Sequence, residues 1–285
     1  MKKLQVTITE SKMNRYFTYL KEQERSPKTI QKYQRDLHSL LQFLPNNEVT
    51  KEQLILWKEM LMNQYSPATV NSMLTSINGF LSFHGFQECR VKPLKIQKML
   101  FYPEEKELTK EEYFRLIRIA HEENKPQIAL ILQTLCATGI RISELQFITV
   151  ECLKIGRTIV SSKGKHRIVF LPKKLLNLLQ TYTKEQQKDS GPVFTTRKGK
   201  PLDRSNIWRN MKQLCQKANV DPKKVYPHNL RHLFARTYYD AEKDISRLAD
   251  ILGHSNVSTT KIYTMESGLV HAKQIENLGL VISDT

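Results

Sequence analysis

The side chains of this sequence that could carry chemistry are basic, imidazole and hydroxyl groups gathered in four short stretches between positions 138 and 263. In Thr138-Gly139-Ile140-Arg141-Ile142-Ser143-Glu144-Leu145, Arg141 and Glu144 stand three apart at a helix start and so share a face. An exposed ion pair would read the same way. Lys163 sits with Gly164 in a turn, and Lys165 follows two residues on. Pro227-His228-Asn229-Leu230-Arg231-His232 puts His228 and Arg231 on one face, just inside a helix whose dipole favours anions. Alone, that is a common surface pattern. In the stretch from Leu252-Gly253-His254 to Tyr263, Gly253 can end one helix and Ser258 can cap the next, and a lone tyrosine there is more often core than catalyst. His228 and His232 have the spacing of two metal ligands, but Asn229 stands where a metalloprotease would need glutamate and no third ligand is evident, so no metal is expected. Phosphate-cradling glycine loops, nucleotide-binding fingerprints and the serine nucleophile elbow are all absent.

Composition narrows what such groups would act on. The chain has 285 residues, 45 Lys+Arg against 28 Asp+Glu, and a net charge of +17. Its length suggests two compact units. There are 15 basic and 8 acidic residues before Pro103 and 30 and 20 from there on, so the excess belongs to both parts. No single tail or amphipathic helix holds it, which argues against a membrane surface and for a polyanion touching both units. The richest apolar run, Ile128 to Ile140, is broken by Gln133 and two threonines, and no membrane span is expected. The N-terminal lysines have no apolar run behind them, so the chain reads as cytoplasmic. Cys89, Cys136, Cys152 and Cys215 are far apart, which suits reduced, mostly buried thiols.

The elements that must position these groups are mostly helical. Ser26-Pro27-Lys28-Thr29-Ile30 recurs as Ser66-Pro67-Ala68-Thr69-Val70, and each serine-proline pair opens a helix. Apolar residues follow at helical spacing: Tyr33, Leu37, Leu40, Leu41 and Leu44 in one, Val70, Met73, Leu74, Ile77 and Leu81 in the other. Helices over Met13–Lys21 and Lys51–Met62 complete a small bundle. From Gln87 to Glu107 the pattern breaks up and reads as a linker. Thr109 and Glu112 then have capping-box spacing, with Leu108 placed to staple onto Tyr113. Within the second unit, Arg157 to Leu171 is β-branched on both sides of Lys163-Gly164, which predicts a β-hairpin.

Taken in order, Arg141, Lys163, the His228/Arg231 pair, His254 and Tyr263 resemble the tyrosine recombinase family of phage integrases and Xer recombinases. The flanking residues resemble it too: Ala-Thr-Gly-Ile-Arg-Ile-Ser-Glu-Leu around Arg141, His-Asn-Leu-Arg-His around Arg231, and Leu-Gly-His followed by Ser-Thr-Thr-Lys-Ile-Tyr around Tyr263. The resemblance covers nearly the whole chain, is strongest from Ala137 to Thr264, and looks like the compact Xer layout without an extra arm-binding domain. It implies a mainly α fold with a small β-hairpin. Residues 1–87 would be a SAM-like helical core-binding domain, 88–107 a linker, and 108–285 an α+β catalytic domain.

The resemblance also implies a site-specific recombinase that cuts and rejoins double-stranded DNA through a 3′-phosphotyrosyl intermediate, with Tyr263 as nucleophile. Arg141 and Arg231 would hold the phosphate oxygens as planar forks. His228 would accept the tyrosine proton, His254 would donate a hydrogen bond to the phosphate, and Lys163 would protonate the departing 5′-oxygen. Glu144 would support them by orienting Arg231 or a histidine. No cofactor is expected, because the phosphotyrosyl bond conserves the energy of the broken linkage. The implied partners are a homotetramer on paired sites or a second related recombinase, with the segment Leu269 to Leu278 packing on a neighbour. A type IB topoisomerase and a catalytically silent DNA-binding regulator are the competing readings.

Overall fold

The coordinates are a computed structural model that describes residues 6–96, 104–162, 165–196, 198–254, 256–263 and 276–278. Its internal contacts divide the chain into residues 1–98 and 99–285.

The first unit grows from its caps. After a two-residue strand β1 (Val6–Thr7), Thr9 caps α1 (Glu10–Glu22). Ser26 caps α2 (Pro27–Phe43), β2 (Glu48–Val49) pairs back onto β1, and Thr50 opens α3 (Lys51–Gln64) with a full capping box. Ser66 caps α4 (Pro67–Phe83). The two serine-proline helices, α2 and α4, pack against each other. They bury Leu37, Leu40, Val70, Leu74, Ile77 and Leu81, the spacing read from the sequence, around Trp57 of α3. A polar tie crosses this apolar seam: Ser76 donates to Asp36 at 2.5 Å, and Lys32 closes on the same carboxylate at 2.7 Å. Asp36 is therefore buried but paired.

The stretch from Gln87 to Leu94, where the expected linker begins, packs on the first unit. Cys89 and Val91 are buried in the first unit's core. Asn78 exchanges hydrogen bonds with the backbone of Val91 (2.9 and 3.1 Å), and Asn71 does the same with Leu94 (2.9 and 2.7 Å). Two side-chain amides, two turns apart on α4, thus stand in for a neighbouring strand and satisfy a segment that has no ladder of its own.

In the second unit a 3₁₀ turn (Glu104–Lys106) precedes α5 (Lys110–Glu122), where Thr109 and Glu112 form the expected capping box and Leu108 and Tyr113 are both buried. Next comes α6 (Pro126–Thr138), apolar on nearly every side and packed by α5 and by three later helices: α8 (Lys173–Glu185), α9 (Arg204–Cys215) and α10 (Pro227–Glu242). A helix with no polar face must be central, and this one is the unit's spine. Between α6 and α8 lie a 3₁₀ turn (Ile142–Phe147), α7 (Val150–Ile155) and the hairpin of β3 (Arg157–Ser162) and β4 (Lys165–Phe170), in register to Ser162 opposite Lys165. One hairpin face buries Thr158, Val160 and Val169, and the other exposes Ile159, Ile168 and Phe170, the period-two alternation of a half-covered sheet. After α10 come α11 (Ile245–Leu252), α12 (Val257–Thr260) and a 3₁₀ turn, Lys261–Tyr263. Lys163 and Gly164 lie outside the described residues, as does the proposed neighbour-packing segment up to position 275. No described helix is long and apolar enough to cross a membrane.

Leu37 is fully buried where α2 meets α4. Leu37→Ala should therefore lower the first unit's stability by about 2–5 kcal/mol. Urea unfolding followed by Trp57 fluorescence in a Trp208→Phe background measures it, and an unchanged midpoint would contradict this packing.

Candidate active site

The spine helix ends where the site begins. Gly139 caps α6 in the left-handed region (φ +62°), and a Cβ there would overlap the ring of Phe234 on α10. Glycine is required for both reasons. The chain turns directly into Arg141, the N-cap of the 3₁₀ turn. Three residues on, Glu144 is 1% exposed and holds Arg141 twice, through the backbone N–H at 2.8 Å and through Nη1 at 2.9 Å. The partner that sequence reasoning missed is Arg167 of β4, which donates Nη1 and Nη2 to the same carboxylate at 2.9 and 2.7 Å. Burial alone would raise the Glu144 pKa. The bonds from Arg167 and Arg141 outweigh it and hold the group at about 2.

The other half of the site comes from α10 and the turns after α11. Pro227 occupies the first position of α10 and His228 the next, and one turn in, Arg231 is 2% exposed. Its guanidinium donates to the carbonyls of Gly139 and Leu252, both at 2.6 Å, and to Nε2 of His254 at 3.0 Å. Arginine has no acceptor, so this geometry assigns the His254 ring proton to Nδ1, which donates to Thr260 Oγ1 at 2.9 Å. Burial, then the charges of Arg231, Arg141 and Arg167, push the His254 pKa down to about 4, in keeping with a neutral ring. Burial and the nearby Arg141 lower Arg231 to about 10, leaving it charged at neutral pH.

Tyr263 is 3% exposed, packed with Ala235, Leu248 and Leu252. Three imidazoles surround its ring: His232 edge-on at 4.4 Å between centroids, His254 near-parallel at 5.8 Å, and His228 at 6.2 Å. His228 is lowered by burial and by the charges of Arg231 and Arg141. His232 is lowered to about 3 by burial first and then by His228 and two arginines.

The structure thus gathers Arg141, Glu144, His228, Arg231, His254 and Tyr263, while Lys163 lies outside the described residues. Two details differ from expectation and one adds to it. Glu144 orients Arg141 and Arg167 instead of Arg231 or a histidine, because Arg231 is anchored by carbonyls. His254 accepts from Arg231 through Nε2, a contact that the sequence pattern did not name. The N-cap of α12 is Asn256, whose side chain accepts from the Ser258 N–H at 2.8 Å, and not Ser258 itself. Arg167 and His232 could have been suspected only as a basic residue on a strand's inner face and as the second histidine of the His228 turn. Their spacing does not tell what they touch.

This combination, a helical N-terminal bundle followed by an α+β unit with arginines and imidazoles around a tyrosine, is the integrase-type architecture. The phage integrase family model matches residues 106–268, and that of the phage integrase N-terminal SAM-like domain matches residues 13–85. The chain belongs to the phage integrase family. It is 29% identical to tyrosine recombinase XerA of Pyrococcus furiosus, covering 95% of this chain and 97% of the relative. It is 30% identical to tyrosine recombinase XerA of Thermococcus kodakarensis, covering 87% and 88%. A lambda integrase tetramer bound to a Holliday junction shares the fold, with a TM-score of 0.73 at 16% identity over 92% of this chain and 78% of that one.

The depressed histidines of the site, His232 and His254 most of all, make stability pH-dependent. An unfolded histidine titrates near ~6.5, whereas His254 and His232 in the fold titrate at about 4 and about 3. Between those values the unfolded chain binds more protons, so acidification favours unfolding. The urea midpoint should fall from pH 7.5 to pH 5, a range above the folded pKa values, and fall less steeply in a His232→Gln/His254→Gln variant. A midpoint that rises on acidification contradicts the assignment.

Proposed function

We infer that the chain is a site-specific DNA recombinase that cuts and rejoins strands through a covalent bond between Tyr263 and a 3′-phosphate. The observation that carries this reading is the gathering of Arg141, His228, Arg231 and His254 about Tyr263 from separate elements of the second unit. Tyr263 Oη attacks the phosphorus, the phosphorus–5′-oxygen bond breaks, and the phenolic proton passes to neutral His228. Lys163 returns a proton to the departing 5′-oxygen. Arg141 and Arg231 stabilise the charge that grows on the non-bridging oxygens. The bond energy is stored in the phosphotyrosine, so the reverse attack by a 5′-hydroxyl of a second duplex needs no nucleotide and no metal.

Residues 1–87 are assigned to DNA binding and 108–285 to catalysis; the two family matches and the two separate cores, the first of which reaches on to Val91, support the division into a binding and a catalytic unit. Basic residues of both units contact phosphates, which makes affinity fall steeply with salt. The active assembly is a tetramer on two duplexes, a reading supported by the lambda integrase tetramer bound to a Holliday junction, and the four free thiols suit a cytoplasmic, DNA-associated protein. Recombination between paired sites separates this reading from a type IB topoisomerase, which would only relax a supercoiled plasmid.

A nicked suicide duplex tests the chemistry. The wild type should form a covalent protein–DNA adduct that survives denaturation and persists in chelator, and Tyr263→Phe should bind DNA without forming it. An adduct in Tyr263→Phe would falsify the nucleophile assignment. Arg231→Ala and Arg141→Ala should slow adduct formation by about 10²–10³-fold with a much smaller loss of binding.

A further inference from the structure

We propose that Arg167 is a positioning residue for strand transfer: it takes up the charge of Glu144 so that Arg141 can serve the phosphate, and it fixes the catalytic hairpin to the turn that carries His254. This rests on the recombinase reading above.

Glu144 is a buried carboxylate beside the place where an anion must bind. Were Arg141 its sole partner, its charge would cancel that of Arg141 and repel the phosphate. Arg167 prevents this with a two-pronged grip, Nη1 to Oε1 at 2.9 Å and Nη2 to Oε2 at 2.7 Å. Arg141 then spends only one guanidinium nitrogen on Glu144, at 2.9 Å, and its side chain remains 35% exposed. One buried carboxylate is shared between two guanidiniums, one lying mostly covered and the other facing outward.

The third nitrogen of Arg167 does separate work. Nε donates to the carbonyl of Ile251 at 3.0 Å, next to the Leu252 carbonyl that receives Arg231. Gly253 follows in the left-handed region, and a Cβ there would lie 2.8 Å from Arg167 Cδ. The stem of Arg167 therefore packs on the turn between Leu252 and His254. One side chain on β4 references the Arg141 turn, the Arg231–His254 turn and the hairpin that leads to position 163 to one another. Lysine could not replace it, since a single ammonium cannot meet a carboxylate edge and a carbonyl in this planar layout.

The test uses the full chain and a nicked duplex bearing the sequence that the wild type selects from a randomised duplex pool. Arg167→Met should slow adduct formation about 10²-fold while the duplex Kd stays within about 3-fold. Glu144→Gln should also be slow, and adding Arg167→Met to it should cost less than about 5-fold more, because the arginine acts through the carboxylate. Arg167→Lys keeps the charge without the fork and should be about 10-fold slower; it carries the test if Arg167→Met does not fold. Wild-type speed in Arg167→Lys overturns the proposal, as do losses that multiply in the double variant or an affinity that falls with the rate. A wild type that binds its selected duplex and forms no adduct overturns the recombinase reading itself.

Discussion

Everything in the second unit's site depends on one buried carboxylate being surrounded by donors. Glu144 accepts from a backbone N–H and from two guanidiniums, so its lone pairs are satisfied although water has almost no access. A buried ion of this kind costs several kcal/mol to desolvate, and the cost is offset only while every partner stays in place. That makes it a poor source of stability and a good source of specificity. The turn after α6, strand β4 and the end of α11 can satisfy the same charge in very few relative positions.

Arg231 shows the same logic with the signs reversed. A guanidinium buried to this degree needs acceptors, and it finds them in backbone carbonyls at the two helix ends, Gly139 after α6 and Leu252 at the end of α11. Helix C-termini leave such carbonyls unpaired by construction. The positive charge also sits where two helix dipoles place their negative ends. Both ends are capped by glycine in the left-handed region, and at both a side chain of another element fills the space that a Cβ would occupy, Phe234 at one and Arg167 at the other. The glycines next to Ile140 and His254 are therefore packing residues as much as caps.

Local features of the chain were legible in the sequence. The serine-proline helix starts, the Thr109–Glu112 box, the hairpin and the apolar faces of α2 and α4 rest on interactions within a few residues, and propensity and periodicity report those directly. The site residues were legible as a family pattern, in order and company, and not as geometry. What stayed hidden was long-range and polar. Asn71 and Asn78 look like ordinary polar positions on a helix until Leu94 and Val91 lie across them. Arg167 is one of three basic residues at the start of β4, and only the fold turns it toward Glu144. Glu144 itself lies three residues from Arg141, which suggested a pair, but nothing local indicated that the pair would be buried and shared.

The proposed chemistry asks the site to keep charge apart from proton transfer. Arg231, lowered to about 10 by burial and by Arg141, still stays ionised at neutral pH. The histidines are held in the opposite condition. Burial is the first cause of their depressed pKa values, and the neighbouring guanidiniums add to it. On the proposed reading, a cluster that attracts one phosphate also keeps its imidazoles unprotonated, and only an unprotonated imidazole can accept a proton from a phenol. Had lysines supplied the charge, the same burial and mutual repulsion would have lowered their own pKa values toward neutrality. Charge and base would then have titrated together. The use of arginine at 141, 167 and 231 keeps the two roles apart.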